Sequence, residues 1–535
     1  MKKNTGTTRK LASALLAAVM LISAAGCGSA APQTTEATGG DAQPAAAAGT
    51  EQEADTAAKT DERPTIRWLT TGDAAAKAIE DGDRIVEAIN ERLGIDLQVE
   101  IVPEANTEKV NVAMASGDFP DIVTGAYGTS ATQSWIQNGM VIPLNDYLDD
   151  NAALKEWLEQ DYPWSAVDGA YYGAPFIAQY NVANTLIVFR QDWLDNLGLE
   201  YPQTLEEMKE VLIRFTTDDP DGDGKDNTYG FTAEGPSSTT GATPFDWVFH
   251  AYGLEHGDYA LNEAGEIIPT FDDPSFVPAM NYIKELWDLG VIDSELMLND
   301  TSKKEEKFYQ GKAGAMQAAL FRHVSRHESS LQELFPEASI CYDLAPAGEN
   351  GKRGLSRQGK DGFMTCVTAA CEHPDKAAAF INFMLSEEGI ELVRLGIEGV
   401  HYTKDGDTIV YNEEEREKDA FAPNGWAHAL AWGSFFWPLE SGYIPLTDPN
   451  RERALETVEL ATKCQVPNLV KQKTPAEISD KSALNDIFIQ YFSDMLQGKI
   501  GIEEGQKKLD AEWRANGGDA VLEEVTAAYR AQETQ

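Results

Sequence analysis

Cysteine is scarce in this chain: there are five in 535 residues, and none falls in a paired CxxC spacing. That argues against a small disulfide-stapled fold and against the common zinc-ribbon geometry, and a chain of this length has enough core to do without staples. The four cysteines beyond residue 27, Cys341, Cys366, Cys371 and Cys464, are scattered among apolar neighbours and read as buried free thiols, with a bridge as the alternative. Basic residues are also few. Against 88 Asp and Glu stand 43 Lys and Arg, a net charge of −45, so nucleic acid and anionic lipid surfaces are repelled. An acidic ligand in one local cleft is disfavoured by this field, not excluded. No stretch from about Arg63 onward reaches the roughly 20 apolar residues of a spanning helix. HExxH is missing, and no GxSxG, phosphate loop or dinucleotide fingerprint stands in a strand–helix context, so no catalytic residue is assigned. His323 and His327 are four apart beside Glu328, but no third ligand accompanies them, and they read as a solvated helix face.

What the sequence does have begins at its first residues. Lys2, Lys3, Arg9 and Lys10 precede a short apolar run, Leu11 to Ala25, too brief to span and suited to an export signal. Ala24-Ala25-Gly26-Cys27 resembles the bacterial lipobox, whose cysteine is lipidated; the usual leucine is replaced by Ala24. Residues 1–27 are therefore expected to be a lipoprotein signal with Cys27 as the anchor, ordinary cleavage being the alternative. Residues 28–62 hold no aromatic and no periodic apolar face, so they cannot offset their ordering entropy and read as a tether. The expected location is the outer face of a bacterial cell membrane, held by lipid.

From residue 63 the length exceeds one core, and two domains are expected. Strand-like Thr65 to Leu69, a helical spacing over 83–93, strand-like Leu97 to Val102, a helix over 108–114 and strand-like Asp121 to Thr124 give a βαβαβ order, hence an open α/β sheet. Thr204 and Glu207 form a capping box that predicts a helix to about Phe215. Further helices are predicted over 373–385, 387–395, 484–497 and 502–516. Between Asp219 and Gly230, alternating Asp219, Asp221 and Asp223 with Gly222 and Gly224 place three carboxylates in one tight curve. Lys225 would add its carbonyl, and Asn227 follows. Hard Ca²⁺ wants such oxygens. The glutamate that closes an EF-hand at position twelve is Gly230 here, and an acidic surface turn remains the alternative.

Several segments together resemble one family. They are Ala115-Ser-Gly-Asp-Phe-Pro-Asp-Ile-Val123, Gly169-Ala-Tyr-Tyr-Gly-Ala-Pro175, Ile187-Val-Phe-Arg-Gln-Asp-Trp-Leu194 with Pro202-Gln-Thr-Leu-Glu-Glu, Lys312-Ala-Gly-Ala-Met316, and Pro374 to Gly389. In this order they are similar to the extracellular solute-binding proteins of ABC importers, in the branch that takes oligosaccharides and alginate. The resemblance implies a type II fold of two α/β lobes joined by crossing hinge strands: residues 63–180 with about 366–430 in one lobe, 181–365 with about 431–535 in the other. It also implies a carbohydrate ligand, a permease partner, a monomer, no enzymatic activity and a structural calcium ion in the acidic loop. Alternatives are a glycoside hydrolase and a binder of another solute, such as a peptide or uronate.

Sugars need flat apolar faces and planar hydrogen-bonding groups. The stretch from Trp426 through Trp432 to Trp437 is the main candidate, with core packing as the alternative for about half of its rings. Trp164, Trp247, Tyr127 after the third strand, and Tyr180 at the first crossing are further candidates. Arg322 and Arg357, with Gln358, are candidate polar partners. Asp118 and Asp121 read as ligand acceptors or caps, and Arg190 as a partner of Asp192 or Asp195. Trp193, Trp287 and Trp513 have helical neighbours and read as core.

Overall fold

A computed structural model describes residues 63–72, 78–103, 107–117, 119–177, 185–236, 243–254, 258–319, 326–357, 362–406, 408–421, 427–431, 451–466, 468–470 and 473–533. Its strands in chain order are β1 (Thr65–Gly72), β2 (Asp96–Pro103), β3 (Ile122–Ala126), β4 (Ala174–Ile177), β5 (Thr185–Arg190), β6 (Tyr229–Thr232), β7 (Tyr259–Leu261), β8 (Ile267–Pro269), β9 (Ala313–Ala319), β10 (Ile340–Cys341), β11 (Ser356–Arg357), β12 (Gly362–Val367), β13 (Tyr402–Asp405), β14 (Thr408–Tyr411) and β15 (Gln465–Val466).

The first sheet has the order β2-β1-β3-β12-β4, with β1, β2 and β3 parallel and β12 antiparallel to both neighbours. Successive side chains of a strand point to opposite faces, and here both faces are covered. Ile66 and Trp68 of β1, Ile122 of β3 and Val367 of β12 join one core; Leu69, Val123 and Cys366 join another. The helix Arg84–Leu93 starts where Asp83 accepts the backbone N–H groups of Ile85 and Val86, and it ends on Gly94 at φ 64°. Ile85 and Ile89 face the sheet, and Asn90 Oδ1 accepts the Leu97 N–H, tying the helix to β2. Across the sheet, Trp68 Nε1 donates to Thr124 Oγ1 (3.0 Å), which bonds Thr365 Oγ1 (2.9 Å).

The second sheet, β10-β5-β9-β6, is mixed: β6 runs parallel to β9, and β5 antiparallel to it. The helix Leu205–Thr217 opens on the expected Thr204–Glu207 capping box and buries Met208, Leu212 and Phe215. It lies so close to the sheet that a Cβ on Gly314 would sit 2.1 Å from Phe215 Cδ2. The core here runs from Leu186 to Leu355 and is completed by Ala461 to Val525. The chain therefore passes between the two groups of cores at 177–185, at 357–362, and between Ala431 and Arg451.

Two predictions for the C-terminal region are corrected. The helix expected over 484–497 begins at Pro475, because Thr474 and Glu477 form a capping box around a proline at the first helical position. The helix expected to end at 516 stops at Trp513; a π-turn with Gly517 at φ 106° follows, and a further helix, Asp519–Glu533, was not foreseen. His327 is corrected as well. It is fully buried rather than solvated, and its Nδ1 bonds the Tyr309 hydroxyl (2.5 Å).

Candidate functional site

The strand register sets the geometry of the site. Ala126 pairs with Phe363, and Gly362 with Ile177, so the carboxyl ends of β3 and β4 and the amino end of β12 share one edge of the first sheet. In the second sheet Thr185 pairs with Ala319, bringing the start of β5 to the end of β9. Ligands of open α/β sheets sit outside the carboxyl ends of strands. Seven residues separate Ile177 from Thr185, so these two edges are at most about 29 Å apart along the chain.

On the first edge, Tyr127 N–H donates to the Gly362 carbonyl (2.7 Å), closing the turn after β3. Its half-buried ring packs against the core containing Leu69 and Val123, and burial pushes the phenol well above its ordinary pKa. Gly128 follows at φ 63°, and a Cβ there would meet the Lys473 stem, 3.3 Å from Cδ. On the second edge, Gln317 Nε2 donates to Thr185 Oγ1 (3.3 Å). Beside the end of β6, fully buried Asp293 accepts from Thr232 Oγ1 (2.9 Å), Asn299 Nδ2 (2.8 Å) and Lys307 Nζ (2.8 Å). Burial alone would raise this carboxyl; the bonds from Lys307 and Asn299 outweigh it and hold it below the usual range. Asp293 is thus an ion-paired strut that sets the end of β6.

The acidic loop lies between the helix Leu205–Thr217 and β6. Oxygens of Asp219, Asp221 and Asp223 all lie within 4.8 Å of one another. The curve is made by three residues at positive φ: Asp219 (50°), Gly222 (70°) and Gly224 (78°). Asp219 accepts the Gly224 N–H (3.0 Å), and Asp223 accepts the Lys225 N–H (2.8 Å) and the Lys225 ammonium (2.7 Å). Asn227 Nδ2 lies 3.3 Å from Asp223 Oδ2. Burial raises the Asp221 carboxyl, with Asp223 and Asp219 adding to the rise, whereas Lys225 holds that of Asp223 below its ordinary value. Asn196 Nδ2 fastens the loop through the Pro220 carbonyl (3.0 Å). Gly230 can bear no side chain, because a Cβ would sit 2.7 Å from the Leu212 carbonyl oxygen. The twelfth-position carboxylate of an EF-hand is therefore sterically excluded. Three convergent carboxylates still suit a hard oxygen-seeking cation.

Residues 79–391, more than half of the chain, match the bacterial extracellular solute-binding proteins. The chain belongs to that family. It is 27% identical over 468 residues to the polygalacturonan/rhamnogalacturonan-binding protein YtcQ of Bacillus subtilis strain 168, covering 84% of this chain and 88% of that protein. It is 26% identical over 456 residues to lipoprotein LipO of the same organism, covering 83% and 88%. The solved structure of the ABC-transporter substrate-binding protein FusA of Streptococcus pneumoniae with kestose matches at TM-score 0.69 and 18% identity, over 88% of this chain and 99% of that one. A FusA EF-hand mutant with fructo-nystose matches at TM-score 0.68 and 19% identity, over the same shares. The fold is accordingly the type II solute-binding fold, two α/β lobes joined by crossing segments.

Within this solute-binding fold the candidate residues fare unequally. Tyr127 stands at the edge expected of it. Trp247 is corrected: its ring is fully buried between Phe231 and Tyr282, and its Nε1 donates to the Pro244 carbonyl (3.2 Å), so it is a core residue with no face to stack on. The surrounding Thr-Pro-Phe-Asp sequence is loop-like only up to Phe245; the helix Asp246–Ala251 turns the ring inward. Trp164 falls in the short turn Pro163–Ser165 and Arg357 in β11, paired with Gln465–Val466; their side chains lie outside what is described. Cys27, Tyr180, Arg322, Trp426, Trp432 and Trp437 lie outside the described residues, as do Asp118, His323 and Gln358. Asp121 takes the Arg67 N–H (2.8 Å) and Arg190 pairs with Asp192 (2.5 Å), both structural roles. Trp193 and Trp513 are core, as read. All four of the later cysteines are free thiols.

The sequence reading passed over Lys473, Gln317 and Asp293. The capping box at Thr474 was a legible signal that a helix begins beside Lys473. Nothing local tied that lysine to Gly128 in the other lobe.

Proposed function

We propose that this chain is a lipid-anchored extracellular binding protein that captures a carbohydrate, an oligosaccharide, between its two lobes and delivers it to an ABC transporter permease. One observation carries the reading. The chain matches, along nearly its whole folded length, a protein named for binding polygalacturonan and rhamnogalacturonan and one solved with kestose. The sheet edges support a place for it, with Tyr127, Gln317 and Thr185 on them. The ligand binds the closed arrangement better than the open one, and that difference alone drives closure. The permease then reads the closed surface. Cys27 would carry the anchor, a role supported by the similarity to LipO.

The Asp219–Asn227 loop is read as a structural Ca²⁺ site, with Asp219, Asp221 and Asp223 as carboxylate ligands and the Lys225 carbonyl and Asn227 as further oxygens. Amide orientation is a matter of assignment, and turning Asn227 would direct its oxygen toward Asp223. The ion would hold the loop and take no part in sugar binding.

The test is a thermal-shift panel containing oligogalacturonates, rhamnogalacturonan fragments, fructo-oligosaccharides, alginate fragments and peptides. A glycan at a hundredfold its dissociation constant adds about 2.7 kcal/mol of stability. Stabilisation by peptides and by no glycan would sink the carbohydrate reading. Shortened sugars appearing in the same wells would instead mark a hydrolase.

A further inference from the structure

Among the described residues the lobes meet at a point that lies in no strand pairing or core cluster. Gly128 ends the turn after β3, directly behind Tyr127, in the first lobe. A Cβ built on it would lie 3.3 Å from Lys473 Cδ, 3.8 Å from its Cβ and 3.9 Å from its Cγ. The lysine stem therefore covers the side of the backbone where a side chain would project. Lys473 belongs to the other lobe. It stands between Val470 and Ala476, both buried in the second core, and just before Thr474, the cap of the helix Pro475–Leu496.

We propose that Lys473 is a positioning residue for closure, its stem seating on Gly128 when the lobes come together over the ligand. The inference rests on the cleft-closing function argued above. Two features fit it. Gly128 adopts φ 63°, a conformation glycine enters without strain, and its bare surface leaves room for the stem. Lysine suits a contact that must be made and broken, since its methylenes can cover a surface while the charged end lies beyond it. A leucine in its place would be left exposed whenever the lobes part. Ordering a lysine has an entropic cost, so the seat biases the equilibrium between open and closed rather than locking it.

The experiment compares wild type, Lys473→Ala and Lys473→Met by calorimetry with trigalacturonate and kestose, and by small-angle X-ray scattering with and without sugar. Methionine keeps the length of the stem and removes the ammonium. Apparent affinity falls with the fraction of molecules able to close. Lys473→Ala should therefore weaken whichever sugar binds wild type by about fivefold and enlarge the radius of gyration of the unliganded protein. Lys473→Met should stay within about twofold of wild type in affinity and keep its radius. Wild-type affinity and wild-type radius in Lys473→Ala overturn the proposal. So does an equal loss in both variants, which would assign the effect to the ammonium. If wild type binds neither sugar, the carbohydrate reading fails by itself, and the unliganded radii still decide the role of Lys473.

Discussion

At the scale of single residues, two buried histidines have their protons assigned by the backbone. The Ile397 N–H points at His401 Nδ1 (2.9 Å) and the Leu430 N–H at His428 Nδ1 (3.2 Å). A ring nitrogen that accepts a hydrogen bond carries no proton, so each neutral ring donates from Nε2, to Asp419 and to Asp83 (2.8 Å each). Burial pushes the His401 pKa below its ordinary 6.5 against the pull of Asp419, with Arg84 and Arg416 adding repulsion. The unfolded chain therefore takes up this proton more readily than the folded one. Stability from His401 is complete above about pH 6.5 and is lost as the pH falls below it. Asp419 acts lower. Burial raises its carboxyl, but hydrogen bonds from Arg84 and His401 bring it below 3.8, so its contribution persists until the pH drops under about 4. Melts between pH 8 and pH 5 should show a midpoint that declines below pH 6.5, and His401→Gln should flatten the decline. An unaltered slope in that variant removes His401 as the cause. Trp247 gives a prediction of a different kind. Trp247→Ala empties a closed core site and should cost about 3–5 kcal/mol in urea unfolding. Sugar affinity per folded molecule should be unchanged, as it would not be if the ring were a stacking platform.

At the scale of elements, the acidic loop is where sequence and structure inform each other most. Its carboxylates converge across residues held at positive φ, yet Asp223 is partly answered by the Lys225 ammonium. A divalent ion must displace that lysine, whose charge reaches Asp219 and Asp221 without a hydrogen bond to either. Ca²⁺ added after EDTA treatment should raise the wild-type midpoint by a few degrees, the equivalent of about 2–3 kcal/mol at saturating ion. Asp221→Asn should abolish the rise while leaving the ion-free midpoint close to wild type. An equal rise in that variant would place the ion elsewhere. The Thr204 capping box, the Asp83-capped helix and the alternating strands β1 to β3 were legible because each is specified within a few neighbouring residues. The Pro475 start was legible in principle and hidden by weak apolar periodicity ahead of it. Asp519–Glu533 was missed because the last helix was expected to end at 516, whereas the chain turns at Gly517 and continues as helix. Trp247 was misread because its surroundings resemble a loop in sequence, while its orientation is fixed by packing from Phe231 and Tyr282. Gly128 and Lys473 could not be paired at all, because they lie far apart in the chain and nothing in the residues around either one points to the other.

At the scale of the whole molecule, charge dominates. If every one of the 43 basic side chains were paired, 45 of the 88 acidic ones would still face one another. The surface pairs, such as Lys109 with Glu100 and Lys155 with Asp149, add little stability and are weakened by salt. Repulsion among the excess carboxylates extends over a screening length of about 30 Å at 0.01 M salt and about 8 Å at 0.15 M. The excess outnumbers the pairs, so screening should relieve more repulsion than attraction. The melting midpoint in EDTA should rise as sodium chloride goes from 0.01 to 0.15 M, and a fall would show that the pairs dominate. The same field acts on an arriving ligand. A neutral fructo-oligosaccharide should associate at a rate nearly independent of salt, whereas an oligogalacturonate must approach against the net charge and should associate several-fold faster at 0.15 M than at 0.01 M. If oligogalacturonate association instead slows as salt is added, the cleft presents local positive charge strong enough to override the molecule's own field.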